Sequence, residues 1–243
     1  MEKLLAPYKC FQNVRFIKAV DRKKLSEEDC SQLVRQEEAY KLYGRYLKRT
    51  EVGCTLSHRN CYQEHLDSED QVAFIMEDDI LFRETHEVAE SLLIRLLPLL
   101  HSQTPMMILL FGEYWWLGSQ RIDDKFQLKQ VYDAISTQGY LVNRPAAEVM
   151  LKKQAVSLAD DWAYIISEGV NVKAVSPHMI DQEWNSFETT VSMDGNDSLV
   201  RKNLSTRKFL QSYWRGGIKH LLKAVGPLRR TSSLRKSRNG LNA

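Results

Sequence analysis

The chain has 243 residues, 43% of them hydrophobic and 9% aromatic, which is enough to form a sizeable globular core and excludes a largely disordered protein. It has no run of about 18 apolar residues and no apolar leader, so the sequence predicts neither a membrane-spanning helix nor a signal peptide. The formal net charge of +3 conceals a strong asymmetry, because residues 201–243 hold 12 Lys plus Arg and no Asp or Glu. The first 200 residues therefore carry a net charge of −9, so an acidic body precedes a basic tail.

The first third of the chain predicts one strand followed by two helices. Residues 14–20, VRFIKAV, have strand character and end at Asp21. Residues 26–44 predict a helix, because Ser26 is a favourable N-cap, acids fill the first turn and Gly44 can end it. Residues 50–65 predict a second helix, whose periodic apolar positions suit packing on a sheet.

The four cysteines, Cys10, Cys30, Cys54 and Cys61, are predicted to be reduced thiols, because nothing indicates export. Two of them alternate with His58 and His65 along one face of the second helix. That face is about 16 Å long at the helical rise per residue. One tetrahedral zinc ion with bonds of about 2 Å cannot collect all four side chains. The spacing therefore favours a packed helix face over a zinc site.

Residues 71–82, QVAFIMEDDILF, place Glu77, Asp78 and Asp79 between two apolar runs. Three adjacent carboxylates repel each other, and burying them is costly without a cation or hydrogen-bond donors. One interpretation is a turn whose acids face water. The other is an acidic cluster at the carboxyl end of a central strand, where open α/β sheets bind ligands. In an extended segment Glu77 and Asp79 would point to one side and Asp78 to the other.

The middle of the chain alternates between strand and helix patterns. The predicted elements are a helix over residues 87–100, a strand over 106–111, an aromatic loop over 112–120, a strand over 138–143, a helix over 145–153, a helix over 157–168 and a strand over 171–176. This alternation predicts an α/β sandwich with a largely parallel sheet.

The C-terminal part changes character. Residues 185–197 are polar and predict a connection, and the basic segment after residue 208 has Trp, Tyr and aliphatic residues at near-helical spacing. Such a segment suits the surface of an anionic bilayer. It equally suits a helix docked on the body of the protein and followed by a solvated basic end. The sequence thus divides into a domain over residues 1–190 and a basic amphipathic tail over residues 191–243.

Two motifs give the chain a family resemblance. EVGCTLSH at residues 51–58, followed by FIMEDDILF at residues 74–82, resembles the lipooligosaccharide glycosyltransferases of family 25. The signature of that family is a GEiGCxxSH box and then a hydrophobic strand ending in EDD; Thr50 stands where the family often has Gly. Residues 16–21, FIKAVD, resemble the end of an upstream family strand, with Arg22 in place of a Gly. Later segments, QGYLVNRPAAEVMLK, Asp161-Trp162 and residues 175–182, extend the resemblance over residues 14–190.

The resemblance implies a GT-A-like αβα sandwich with a mostly parallel central sheet. It implies transfer of galactose or glucose from a UDP-sugar to a lipooligosaccharide or lipopolysaccharide core, with inversion at the sugar and with Mn²⁺ or another divalent cation. Together with the basic tail it predicts a cytoplasmic enzyme peripheral to the inner membrane. The alternative is a non-catalytic member of the family that binds a partner or a membrane. A nuclease or other phosphoryl-transfer enzyme, and nucleic acid as a partner, are disfavoured because the basic residues are segregated from the acids.

The resemblance also assigns the candidate site residues. The metal ligands are Asp79 and Glu77, and the donor-binding residues are Ala19, Val20, Asp21, Ser57, His58 and Asp78. The candidate bases are Asp161, which matches the family best, and Asp160, with His178 and Glu183 as further candidates. Asp161 also suits a purely structural role at a helix start. Tyr114, Trp115 and Trp116 would either stack on acceptor sugar or pack in the core.

One family feature has no counterpart in this sequence. The family begins with a strand reading INLxRxxxR, which builds part of the nucleotide pocket, and nothing similar precedes residues 14–21. A chain without it would have an open sheet edge and weaker uridine binding. An upstream start would restore the strand, whereas its true absence would favour the non-catalytic alternative.

Overall fold

The computed structural model describes residues 2–11, 13–182, 217–219 and 221–231. The predicted connection at residues 185–197, the candidate base Glu183 and most of the basic tail lie outside the described residues. The helices are α1 (Glu2–Leu5), α2 (Glu27–Leu33), α3 (Gln36–Tyr43), α4 (Arg49–Asp67), α5 (His86–Leu100), α6 (Arg144–Leu151) and α7 (Trp162–Ser167). The strands are β1 (Val72–Met76), β2 (Ile80–Phe82), β3 (Met106–Leu109), β4 (Tyr114–Arg121), β5 (Gln127–Ala134), β6 (Gly139–Asn143), β7 (Asn171–Ser176), β8 (Ile180–Gln182) and β9 (Arg229–Arg230).

Seven strands form a mixed sheet in the order β1-β6-β3-β7-β5-β4-β9, and β2 pairs with β8 in a small separate ladder. The α/β class is confirmed, but the prediction of a mostly parallel sheet was wrong, because β3–β7 is the one parallel pair among the described strands. The prediction assumed a helix after each strand. Instead β4 and β5 follow each other as an antiparallel hairpin. β6 lies between β1 and β3 and runs opposite to both.

Three strands nevertheless point the same way and bring their carboxyl ends together. β1 and β3 are each antiparallel to β6, and β7 is parallel to β3. Backbone hydrogen bonds tie this end of the sheet: Glu77 N to Gln138 O at 2.9 Å, Leu110 N to Gly139 O at 3.1 Å and Met179 N to Leu110 O at 2.7 Å. The acid turn after β1 therefore lies beside the loop before β6 and the loop after β7.

The sheet is covered on both faces. One core includes residues of α4, α6 and α7, and its largest member is the fully buried Trp162, whose ring meets Tyr140 edge-on at 5.4 Å. The other core packs α5 and Tyr8 against the opposite face. Burial of one such aromatic side chain stabilises the fold by about 3 kcal/mol, so these two cores hold the strand ends in place.

The strand predicted over residues 14–20 was wrong. The segment has no strand pairing, and Val14 and Phe16 are 48% and 60% exposed. Within the described residues β1 is an edge strand of the sheet. The segment instead runs along α4, where Arg15 pairs with Glu64 and the Val20 amide donates to the Ser57 hydroxyl. Side-chain contacts with a helix thus replace the expected strand ladder.

The helix predicted over residues 26–44 is divided in two. Its start is confirmed, because Ser26 forms a capping box with Asp29, and so is its end at Gly44, which has a φ of 72°. The break at Val34 was not predicted. Val34 forms a bridge to Ala155, and the Arg35 amide donates to Ala155 O at 2.8 Å. A tertiary contact therefore overrides the local helix propensity.

Two other predicted elements differ from the structure. The aromatic loop over residues 112–120 is largely strand β4, which pairs with β5. The helix predicted over residues 157–168 begins only at Trp162, with Asp161 as its N-cap. In both places a run of aromatic or acidic residues concealed the true boundary of the element.

The described part of the basic tail lies on the body of the protein. Arg229 and Arg230 form β9 and pair with Trp116 and Trp115 of β4, and Leu228 is buried. This agrees with the docked alternative for residues 217–231. No helix among the described residues has the length and apolar character needed to cross a bilayer.

Candidate active site

The acid turn presents its three carboxylates differently. Glu77 Oε1 accepts a hydrogen bond from Thr137 Oγ1 at 2.6 Å and lies 3.9 Å from His58 Nε2. Burial acts to raise the pKa of Glu77, but the contacts with His58 and Thr137 outweigh it and hold this pKa below its usual value. Asp78 is exposed. Glu77 is thus held as a carboxylate by partners from two other parts of the chain.

A series of buried, hydrogen-bonded side chains supports the position of Glu77. The hydroxyl of Tyr140 lies 2.9 Å from His58 Nδ1 and 2.9 Å from the Tyr62 hydroxyl. Burial raises the pKa of both tyrosines, so both hydroxyls stay protonated. With the His58 Nε2 proton directed at Glu77, Nδ1 accepts from Tyr140, which accepts from Tyr62. This series fixes the orientation of His58, and through it the orientation of Glu77.

Asp79 holds one satisfied and one unsatisfied oxygen. Oδ2 accepts a hydrogen bond of 2.5 Å from Gln182 Nε2, and Gln182 is held in turn by Gln138 at 2.9 Å. Oδ1 is buried and has no hydrogen-bond partner among the described residues. Burial raises the pKa of Asp79, and the charges of Glu77 and Asp78 add to this rise. Hydrogen bonds from Gln182 and from the Asp79 amide oppose it. A buried anionic oxygen without a donor is an atom that a cation would satisfy.

The loop between β5 and β6 connects the acid turn to Asp160. Ser136 has a φ of 84°, a conformation that costs a residue with a side chain of order 1–3 kcal/mol. Its carbonyl accepts a hydrogen bond of 2.7 Å from the buried Trp162 Nε1, which stabilises the loop in this conformation. Burial raises the pKa of Asp160, while backbone hydrogen bonds from Asp160 itself and from Ser136 oppose the rise. Strained backbone of this kind is typical of functional loops.

Cys54 on α4 is influenced by the charges of two acids of the candidate site. Its thiol is solvent-exposed, but the enclosing protein and then the charges of Glu77 and Asp160 raise its pKa to about 12. The thiol therefore stays protonated and is a poor nucleophile.

Asp161 differs from its neighbour Asp160 in its hydrogen-bond partners. Its Oδ1 accepts the Tyr164 amide at 2.9 Å as the N-cap of α7, and its Oδ2 accepts the Tyr43 hydroxyl at 2.6 Å. Both oxygens thus have structural partners. The two acids that the sequence grouped as candidate bases therefore have different surroundings.

The donor-binding residues predicted near the N-terminus meet α4. Ser57 Oγ accepts the Val20 amide at 2.9 Å and donates to Gly53 O at 2.7 Å. A Cβ at Gly53 would lie 3.0 Å from Val20 O, so a side chain here would crowd the Val20 carbonyl. Asp21 caps a short 3₁₀ helix, and Ala19 is exposed. Successive residues of one helix, Ser57 and His58, thereby hold Val20 and Glu77.

A second polar cluster stands on the β2–β8 ladder beside Gln182. Asp181 accepts from His178 at 2.8 Å and from Arg83 at 2.7 Å, and these contacts lower the pKa of Asp181, the His178 hydrogen bond most. The His178 ring packs over Gly112, where a Cβ would lie only 2.6 Å from it. His178 is thus committed to structural contacts, and Arg83 places a cation near the acid turn.

Sequence reasoning missed three residues of the site. Thr137, Gln138 and Gln182 hold Glu77 and Asp79, directly or through one another. All three lie in or beside segments that carried the family resemblance. The family resemblance could have pointed to these segments. However, the partner of a polar residue at the end of a strand cannot be identified until the order of the strands in the sheet is known.

The described residues contain no group of three or more His, Cys, Asp or Glu side chains arranged to hold a metal ion. A cation at the acid turn would therefore take few protein ligands.

These features define a class of protein: a mixed α/β fold with a cluster of acidic side chains where several strands end. Comparison with known families is more specific, because the sequence model of glycosyltransferase family 25 (LPS biosynthesis protein) matches residues 6–163. The chain belongs to this family. The matched part contains α4, the acid turn, the strained loop and Asp160. A search of curated proteins finds no match.

Proposed function

We propose that the protein is a GT-A-like, metal-dependent hexosyltransferase that moves galactose or glucose from a UDP-sugar to a lipooligosaccharide or lipopolysaccharide core. The observation that carries the proposal is the buried Asp79 Oδ1 without a donor, next to two further carboxylates. Uncompensated negative charge at the end of a strand suits the cation that accompanies a nucleoside diphosphate. Family membership supplies the reaction class.

The residues present fit a divalent cation such as Mn²⁺. When bound, such an ion neutralises the charge that develops on the diphosphate leaving group. Asp79 Oδ1 would hold it, together with Glu77 through Oε2, since the contacts of Glu77 with Thr137 and His58 both use Oε1. Asp78 is exposed and is assigned to the donor. Phosphate and water oxygens would complete the ligand set.

The donor nucleotide is assigned to the region beside α4. The Val20 amide is held by the Ser57 hydroxyl, with Ala19 and Asp21 on either side of Val20 in the chain. His58 takes part by orienting Glu77 rather than by touching the donor. The nucleotide would thus lie beside α4, whose His58 also lies 3.9 Å from Glu77 of the acid turn.

The general base is assigned to Asp160 rather than to Asp161. Burial raises the pKa of Asp160, which makes its carboxylate a better proton acceptor. Asp161 is occupied by Tyr43 and the Tyr164 amide. Such a base would take the proton of the acceptor hydroxyl while the hydroxyl oxygen attacks the donor sugar directly. This direct displacement inverts the configuration of the anomeric carbon.

The cellular setting remains part of the proposal. Residues 1–190 would form the transferase domain, and the 12 basic residues of 201–243 would favour contact with the anionic cytoplasmic face of the inner membrane.

The test is a panel of UDP-sugars with and without Mn²⁺, with binding followed by calorimetry and turnover by UDP release. We expect Mn²⁺-dependent binding of UDP-galactose or UDP-glucose, followed by transfer to a core acceptor. Absence of any donor binding in a folded protein would refute the proposal and favour the non-catalytic alternative.

A further inference from the structure

Two cations share one indole on the last strands of the sheet. The Lys129 ammonium on β5 lies 4.1 Å from the centroid of a Trp116 ring, and the Arg229 guanidinium on β9 lies 5.3 Å from it. Trp116 is on β4, between the other two strands, and pairs in register with Arg229. Lys129 is only 8% exposed. Three adjacent strands thus collect two positive charges in one place.

These two charges are unbalanced within the described residues. No described carboxylate forms an ion pair with Lys129 or Arg229, and the ammonium of Lys129 donates to the neutral Gln127 Oε1 at 2.6 Å. Burial lowers the pKa of Lys129, and the charge of Arg229 adds to the effect. Two cations beside one indole repel each other unless an anion compensates them.

The cations beside the neighbouring indole, that of Trp115, differ from those beside Trp116 in being paired with acids. Trp115 also lies under two cations, Lys219 and Arg230, at 3.4 Å and 4.7 Å from the ring centroid. Both are neutralised, because Lys219 pairs with Asp133 at 2.5 Å and Arg230 pairs with Glu113. Successive residues of a strand point to opposite faces. Within the described part of the chain, the cations beside Trp115 are thus paired with acids, whereas those beside Trp116 are not.

We propose that Lys129 and Arg229 bind one oxyanion, a phosphate or carboxylate group carried by a saccharide, beside the indole of Trp116. A guanidinium can donate two parallel hydrogen bonds to two oxygens of a carboxylate or phosphate group. An ammonium adds a positive point charge. The oxyanion would neutralise both cations at once.

The structure favours a saccharide over a lipid bilayer as the source of this group. At 8% exposure, Lys129 is accessible only to a small group that enters between the surrounding side chains. A bilayer instead presents its headgroups in a plane. The assignment to the acceptor sugar rests on the proposed function, whereas the oxyanion site itself does not.

The experiment measures thermal unfolding of the full chain at constant ionic strength, with inorganic phosphate, glucose 6-phosphate or glucose added. Arg229→Gln is the test variant. Arg230→Gln is its matched control, because it removes the same charge from the adjacent residue on the opposite face. Neither donor sugar nor Mn²⁺ is present, so a failure of the proposed transferase activity does not affect the result.

We expect phosphate and glucose 6-phosphate, but not glucose, to raise the unfolding temperature of the wild type and of Arg230→Gln. Arg229→Gln should weaken the apparent affinity for both at least tenfold. Equal affinities in the two variants, or no response of the wild type, would overturn the site. A second experiment measures binding of the same proteins to phosphatidylglycerol vesicles by flotation. Loss of vesicle binding in Arg229→Gln, with glucose 6-phosphate binding unchanged, would overturn the assignment to a saccharide.

Discussion

At the scale of single residues, Asp79 is a carboxylate of the site whose ionised form is disfavoured by its surroundings. Its pKa is raised by burial and by Glu77 and Asp78, so the folded protein binds a proton there more readily than the unfolded chain. Ionised Asp79 therefore costs stability at pH values above its folded pKa, and the cost disappears as the pH falls. A side chain kept ionised at such a cost is typical of a functional site.

Replacement of this carboxylate should separate function from stability. We expect Asp79→Asn to reduce Mn²⁺-dependent UDP-sugar binding at least tenfold, because the buried ligand oxygen loses its charge. At pH 7 the variant should unfold at an unchanged or higher temperature, because the repulsion is removed. Calorimetry and thermal unfolding measure the two effects. Asp124→Asn, at an exposed carboxylate, is the matched control; unchanged metal-dependent binding in Asp79→Asn would remove Asp79 from the metal site.

His65 is a second residue whose burial has a measurable consequence. It is 4% exposed, and neither ring nitrogen has a hydrogen-bond partner among the described residues. Burial and then the charge of Arg144 lower its pKa from 6.5 to about 4, while Asp70 opposes the shift. The folded protein therefore keeps His65 neutral where the unfolded chain would protonate it.

The depressed pKa of His65 fixes the sign of a pH effect. Between pH 6.5 and 4 the unfolded state binds more protons at this position, so stability falls as the pH falls. The full shift corresponds to about 3 kcal/mol. We expect His65→Leu to gain about this much relative to the wild type between pH 7 and pH 4, measured by urea unfolding. The exposed His101→Leu is the control; if both variants follow the wild type, His65 is not the titrating group.

At the scale of elements, the sequence predicted what local pattern can encode. Helix α4 and strand β1, with the acids that follow it, were identified because apolar periodicity and the EDD motif are properties of one segment. The pairing of Glu77 with Thr137 joins residues sixty positions apart, and no local pattern contains it. Val34 breaks a helix of good propensity for the same reason, since its partner Ala155 is distant in the chain.

β4 was missed for a different reason. Gly112 and Glu113, followed by three aromatic residues, look locally like a loop, yet Gly112 is required by packing. An added Cβ would lie 2.6 Å from the His178 ring, which occupies the space above it. The glycine thus allows the connection after β3 to pass close beneath the loop that follows β7.

This close approach predicts a coupled pair. Gly112→Ala should destabilise the protein by about 1–3 kcal/mol, the usual effect of overpacking. In Gly112→Ala/His178→Ala the clash is absent, so the double variant should be more stable than the sum of the single effects by a similar amount. A double-mutant cycle by urea unfolding measures this coupling. Gly118→Ala on β4 is the control, because nothing lies within 4 Å of its added Cβ; additive effects would contradict the contact.

At the scale of the whole molecule, the asymmetry between an acidic body and a basic tail has a structural use. Lys219 and Arg230, from the described part of the tail, pair with Asp133 and Glu113 of the body and cover Trp115. Trp115 is 8% exposed as a result. The sequence left membrane contact and docking as alternatives for the tail because composition alone cannot say which surface the cations meet. The geometry indicates that part of the basic charge serves the fold itself.

Two truncations test this role. A chain that ends at residue 216 loses β9, the buried Leu228 and both ion pairs, and leaves the indole of Trp115 uncovered, so it should be destabilised by about 2–3 kcal/mol. All five tryptophans remain, so its emission should shift to the red and acrylamide quenching should increase. A chain that ends at residue 231 keeps every described contact and loses only residues 232–243. It should match the full chain in urea unfolding and in quenching, because it retains all the stabilising contacts described for residues 217–231. Equal destabilisation of the two truncated chains would show that the described segment does not secure the sheet edge.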